Sequence, residues 1–414
     1  MIDVVEYAGF RQLGGMLKAE DIRDEESLRL WLKSRPSVDG LAISHRAGMR
    51  VFPLYGTEMV EDWARQRNLT ALPVFRCLLT SGVACRHSAR EIMVAIKATV
   101  NEAVGVSEDA AAARANEASD GIYTNTGAAI AAGRARAAFT YTAAAFANDD
   151  AAAGVDAAAR IARNAATDDA AADVWEQTRS DAVLLEQDHD PLAVQLWPDV
   201  QPGWFDYHCY KALELWDAKT GDNGRFWSRW YRAAVDGKPQ DWDLLREVAL
   251  IPDDVWAAGV DAVNARIARI EEKYRLKAEV VTQRERLAQA QIRAASDLHR
   301  SHNNPPEMVD PVAELQSQII AIWSALEEAE TELSRPDPRL PVLLRIGQGL
   351  WDIASKITLY CARLGDIALK KSAEELGTSG AKWVIRSGAV LLAAESETIQ
   401  SLAKALIEFA KTLP

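Results

Sequence analysis

The chain has 414 residues, of which 49% are hydrophobic and 26% charged, and carries a formal net charge of -13. That length allows two or three domains that each bury a core, and the acidic balance disfavours binding to a phosphate backbone. The four cysteines, Cys77, Cys85, Cys209 and Cys361, show no C-x-x-C pair and no metal-ligand spacing, which points to a reducing compartment and away from a disulfide framework.

The amino terminus, Met1-Ile2-Asp3-Val4-Val5-Glu6, carries acids where a secretory signal carries bases, so we expect a cytoplasmic protein. From Asp21 to Val100 helical patterns alternate with breakers. Ser27 is the expected start of a first helix and Arg35-Pro36 its stop. Leu41, Ile43, Ala47, Val51 and Leu54 recur at helical spacing, with Pro53 as an interruption. Further helices are predicted from Pro73 through Val83 and from Ser88 to Val100. Residues 1–101 therefore read as an N-terminal helical bundle.

Residues 102–180 form an alanine-rich segment punctuated by Gly121, Gly127, Gly133 and Gly154. Alanine has the highest helix propensity and a small side chain, so closely packed helices are expected, with disorder as the competing reading. Residues 181–300 form a Trp-rich region with Trp197, Trp204, Trp216, Trp227, Trp230, Trp242 and Trp256. Trp227, Trp230 and Tyr231 have the spacing of a core stripe, and we prefer that to an aromatic cage or base-stacking platform.

This region ends in a long amphipathic helix, expected from Asp261 to Leu298. Its apolar stripe reads Val263, Ile267, Ile270, Tyr274 and Val281, drifting toward Val280, Leu287 and Leu298. Arg266, Arg269, Lys273, Arg284, Arg286 and Arg293, set against Glu271, Glu272, Glu279 and Glu285, read as solvated faces laced with ion pairs. A basic face for RNA or acidic lipid is the alternative. Residues 301–311 make a proline-marked linker, and residues 312–414 a C-terminal helical unit: Val312–Leu333, Leu343–Leu376 and Ala381–Phe409, a hairpin or three-helix unit. The fold class is all-α throughout.

Signatures of chemistry are weak. Gly347-Gln348-Gly349 lies in a helical pattern and lacks the third glycine of a phosphate loop. His299 and His302 are three apart at a helix end, where a cap is a better reading than a metal site. Cys85 with His87, and His189 in Asp188-His189-Asp190-Pro191, lack the setting of a nucleophile or general base. We expect no catalytic residues, no cofactor and no metal. A hydrolase assembled in space around His45, His87 or His189 is a third-ranked reading.

Ser301-His302-Asn303-Asn304-Pro305-Pro306-Glu307 resembles a Gly-His-Asn-Asn-Pro-Pro motif found in uncharacterised, alanine-rich, helical bacterial proteins, many from prophage-like or other mobile regions. Phe226-Trp227-Ser228-Arg229-Trp230-Tyr231 and the stretch Leu244 to Pro252 resemble segments of the same proteins. The resemblance covers a small part of the chain and has Ser301 in place of glycine. It implies a family of unknown function, in a mobile-element or defence setting, and brings no activity with it.

The physics of the heptad suggests a docking peptide, since its prolines leave little entropy to lose on binding. His302, Asn303, Asn304, Pro305 and Pro306 are the candidate docking residues. The leading expectation is a non-enzymatic interaction or regulatory protein with a protein partner. The alternative is a membrane-acting effector whose C-terminal helix presents Trp383, Val384, Leu391, Leu392, Leu402, Leu406 and Phe409 to a bilayer or a partner, flanked by Lys382, Arg386, Lys404 and Lys411. Homo-oligomers and peripheral contact with the inner membrane face stay open.

Overall fold

A computed structural model describes residues 17–58, 71–87, 89–99, 148–300, 309–372 and 381–413. Among them every regular element is helical and no strand occurs. The chain divides into two compact units, Met1–Ile267 and Ala268–Pro414. The first gathers residues that the sequence distributes over three segments.

In the first unit the helices are α1 (Glu25–Leu32), α2 (Ser37–Glu58), α3 (Leu72–Ala84), α4 (residues 90–99), α5 (Asn148–Ala165), α6 (Asp168–Glu186), α7 (Gly203–Thr220), α8 (Arg225–Val235), α9 (Trp242–Ala249) and α10 (Asp253–Ala257). The helix α11 (Val260–Arg300) contains the division between the units. The start of α1 is set by Asp24 rather than Ser27. Asp24 Oδ1 accepts from Ser27 N at 2.9 Å while Ser27 Oγ accepts from Asp24 N at 3.0 Å, a reciprocal cap that satisfies two exposed donors.

The centre of this unit is α2, buried on all sides from Asp39 to Thr57, with α5 and α7 as its main neighbours. Its apolar residues, among them Leu41, Ile43, Met49, Val51, Phe52 and Leu54, are each worth roughly 1.5–3 kcal/mol when fully buried. The alanine reading holds where the structure describes it. Ala151, Ala152, Ala158, Ala159 and Ala162 of α5 are buried, and their small side chains let α5 lie close to α2. Residues 102–147 of that segment lie outside the described residues.

Pro53 does not interrupt α2, contrary to the sequence expectation; the helix runs through it to Glu58. A proline lacks the N–H that would bond the carbonyl four residues earlier, here Met49 O. That carbonyl has another donor: the Tyr231 hydroxyl of α8 reaches it at 2.6 Å. One buried tyrosine thus supplies the proton that the proline cannot.

Trp227, Trp230 and Tyr231 are core, as their spacing indicates, whereas Trp204 and Trp242 are half-buried. Phe75 stacks on Trp227 with centroids 5.0 Å apart and meets Trp216 edge-on at 5.1 Å. Most indoles find an acceptor: Trp216 Nε1 donates to Gly224 O at 3.0 Å, Trp256 Nε1 to Ile251 O at 3.0 Å and Trp31 Nε1 to Glu186 Oε1 at 2.8 Å.

The second unit packs the rest of α11 with α12 (Val309–Leu333), α13 (Leu340–Ser372) and α14 (Ala381–Lys411) around one apolar core. The stripe that α11 buries here is Leu276, Val280 and Leu287, joined by Lys273 and Gln283, whereas Tyr274 and Val281 are only half-buried. A helix of 3.6 residues per turn carries those positions round its axis, so a stripe read at fixed spacing drifts off the buried side.

Of the bases read as solvated, Lys273 is buried and Arg284 is half-buried. Lys273 is 4% exposed and its ammonium donates to Arg335 O at 3.1 Å. The Arg284 guanidinium pairs with Glu330 and lies over the Trp323 ring. Arg275 bonds Glu272 and Glu279 at 2.7 Å on the surface. At the turn between α12 and α13, Glu332 accepts from Arg339 Nη2 and Arg339 N, each at 2.7 Å. The hydrogen bonds from Arg339 hold its carboxyl below the usual carboxylate range.

Candidate functional site

The polar residues that the first unit buries cluster along α2. His45, Arg46, Met49 and Arg50 occupy successive turns of one face, and Arg46 and Arg50 both point at Asp181 of α6. Arg46 Nε lies 2.8 Å from Asp181 Oδ1. Arg50 Nη1 and Nη2 lie 2.7 and 3.1 Å from its two oxygens.

Two guanidiniums on one carboxylate leave positive charge over, and main-chain carbonyls take it up. Residues 187–202 contain Pro191, Pro198 and Pro202 and cross the unit with little helix, so many of their carbonyls lack local donors. Arg46 donates to Pro191 O, to Val194 O at 3.1 Å and to Gln195 O at 2.8 Å; Arg50 donates to Leu196 O at 3.1 Å. This strap leaves α6 through Asp188, whose φ of 57° is in the left-handed region that aspartate tolerates, and His189 N then closes on Leu184 O at 2.9 Å. Burial lowers the Arg46 pKa to about 10, where it is still charged at neutral pH.

Beside the clamp, His45 Nδ1 lies 2.9 Å from Ser81 Oγ of α3, and Ser81 Oγ also lies 2.9 Å from Leu78 O. With the hydroxyl proton directed to Leu78 O, the serine oxygen accepts from the imidazole. An activated serine requires the opposite polarity. Burial, reinforced by the Arg46 charge, lowers the His45 pKa to about 3, so the ring is a weak base near neutrality. A cleft on the His45 side, lined by His45, Arg46, Leu79, Trp230, Gln240 and Trp242, has room for about one water molecule.

The other sequence candidates fall as follows. Cys85 Sγ turns back to Ser81 O at 3.3 Å, and burial pushes its thiol up to about 12, so no thiolate is available for a Cys85–His87 pair. His189 is exposed on the strap. His302, Asn303, Asn304, Pro305 and Pro306 lie outside the described residues, as does the His302 half of the His299–His302 pair.

Leu402, Leu406 and Phe409 are buried in the core of the second unit, at 0, 0 and 4% exposure, so the fold already occupies that part of the face considered for a bilayer or partner. Trp383, Val384, Leu391 and Leu392 belong to α14, and their side chains are outside the described residues. Among the described residues no helix is long and apolar enough to cross a membrane, and no cluster of three or more potential metal ligands occurs.

Sequence reasoning missed Arg46, Arg50 and Asp181. The available signal was two arginines four apart inside a run apolar on every side, a pattern that needs a buried acid. The chain matches no protein-family model, and no curated protein or solved structure shows significant similarity to it.

Proposed function

We propose that this chain is a non-enzymatic, cytoplasmic interaction protein that holds a protein partner on a rigid helical frame. The observation that carries this reading is the inward use of the first unit's reactive groups. Arg46, Arg50, Asp181, His45 and Ser81 are all buried and bonded to protein atoms, and the hydrogen bonds they make fix helices and strap in place. A frame fixed in this way loses little conformational entropy when it binds, which favours a docking role.

Within this reading the heptad Ser301 to Glu307 is a docking element between helical regions. Its support is the chemistry of His302, Asn303 and Asn304 followed by the stiff Pro305-Pro306 pair, together with the resemblance to the mobile-element proteins. The test is affinity capture from lysate of the native host, soluble and membrane fractions kept apart, comparing wild type with the His302→Ala/Asn303→Ala/Asn304→Ala variant. A soluble partner retained by wild type and lost by the variant is the expected result. Equal capture would reduce the heptad to a linker, and recovery only with membranes would overturn the soluble-partner reading.

A further inference from the structure

The chain repeatedly uses one recognition unit: a guanidinium placed between a carboxylate and an aromatic face. Arg35 bonds Asp39 and lies over Trp31; Arg76 pairs with Asp253 over Trp256. Arg86 pairs with Asp190 over Trp242, Arg50 with Asp181 over Trp197, and Arg284 with Glu330 over Trp323. The planar cation gains from the ring quadrupole and from charge-assisted hydrogen bonds at once, which lysine's compact ammonium matches less well.

The outer face of α7 has the aromatic and acidic parts of this unit without the arginine. Asp206, Tyr207, Tyr210 and Glu214 fall within an arc of about 100° at 3.6 residues per turn. Phe205, Ala212, Leu213 and Trp216 form the buried side, which adjoins this arc at Leu213. Tyr207 and Tyr210 are 64% and 63% exposed, while Trp31, Phe75, Phe205, Trp227 and Tyr231 of the same unit are at most 1% exposed. The neighbouring Glu214 carboxylate raises the Tyr210 pKa, and Asp206 accepts from Gln201. The fixed charges of this face are negative, and no basic residue of α7 falls within the arc.

We propose that Asp206, Tyr207, Tyr210 and Glu214 bind arginine side chains from a basic segment of the partner protein. This deepens the interaction reading and rests on it. The carboxylates supply bidentate acceptors and the tyrosine rings supply the stacking faces, completing outside the chain the arrangement that its own arginines complete within it.

The experiment is an anisotropy titration of the full chain with a labelled peptide alternating arginine and alanine, and with its lysine counterpart of equal length and charge. We expect tighter binding of the arginine peptide. Tyr207→Ser/Tyr210→Ser should weaken it about tenfold without changing the net charge, on the scale of two exposed cation–π contacts. Asp206→Asn/Glu214→Gln should weaken it at least as much, whereas Glu285→Gln/Glu397→Gln, which removes the same charge elsewhere, should leave the affinity within about twofold. Circular dichroism melts of all three variants confirm that each is folded.

Absence of binding, equal affinity for the lysine peptide, an unchanged tyrosine variant or an equal loss in the Glu285/Glu397 variant would each overturn the proposal. Its fate is separable from that of the interaction reading. Capture of a partner by a chain that ignores the arginine peptide overturns the face alone; peptide binding through the tyrosines without capture supports the face and counts against the wider reading.

Discussion

At the scale of single residues, the strongest constraint is Asp181, a carboxylate facing two buried guanidiniums. Removing it leaves Arg46 and Arg50 desolvated and without their counter-charge, a change that typically costs about 3–5 kcal/mol. Asp181→Ala should therefore lower the urea midpoint strongly at neutral pH, and a loss below about 1 kcal/mol would show that the carbonyls of the strap suffice. His45 adds a pH dependence of known sign. Its folded pKa is about 3 against an ordinary 6.5, so as pH falls below 6.5 the unfolded chain gains a proton that the folded chain refuses. Stability from this group is complete above about pH 6.5 and declines toward pH 3, by up to about 1.4 kcal/mol per unit. Urea titrations between about pH 4.5 and 7 should show a shallower decline for His45→Gln than for wild type. The clamp residues were hard to read from sequence because a buried arginine and a surface arginine look alike until the partner, more than 130 positions away, is known.

At the scale of elements, most of the helices were legible and their exceptions are instructive. The stretch expected from Asp261 to Leu298 forms Val260–Arg300, and the helix expected from Ala381 to Phe409 forms Ala381–Lys411, because long apolar periodicity and flanking breakers mark them well. Pro53 misled because its remedy lies in another helix. If Tyr231 replaces the missing donor, Tyr231→Phe should cost about 1–3 kcal/mol by leaving Met49 O unsatisfied. It should cost less in a Pro53→Ala background, where the backbone N–H restored at that position can bond Met49 O itself. A double-mutant cycle with additive losses would contradict this coupling. A second element-scale test is Gly347 on α13, where an added Cβ would come within 2.7 Å of Ile407 Cγ1 and 3.1 Å of Ala403 O on α14. Alanine there gains up to about 1 kcal/mol of helix propensity but must push the two helices apart, so Gly347→Ala should be destabilising overall. A rise in the thermal midpoint would show that the α13–α14 packing yields more easily than its geometry suggests.

At the scale of the molecule, the all-α class follows from helical periodicity and alanine content, and two cores account for the two compact units. The sequence places its boundaries at composition shifts, yet the first unit takes Arg46 and Phe75 from one segment, Asp181 and Trp227 from others, and packs them together. Composition reports what a segment is made of; it does not report which distant segment buries it. The residues proposed for docking are unequally visible in the sequence. The heptad is conspicuous as a string, whereas Tyr207 and Tyr210 are ordinary letters in an aromatic-rich region until the structure shows that they stay outside the core.

We propose that the inward polar groups form framework and the outward faces bind. The most direct test is an NMR titration of the His45 imidazole in the folded full chain. A neutral ring with no inflection from about pH 8 down to about pH 4 is expected, as burial beside Arg46 requires. An inflection between about pH 6 and 8 would place a working base next to Ser81 and contradict the framework role.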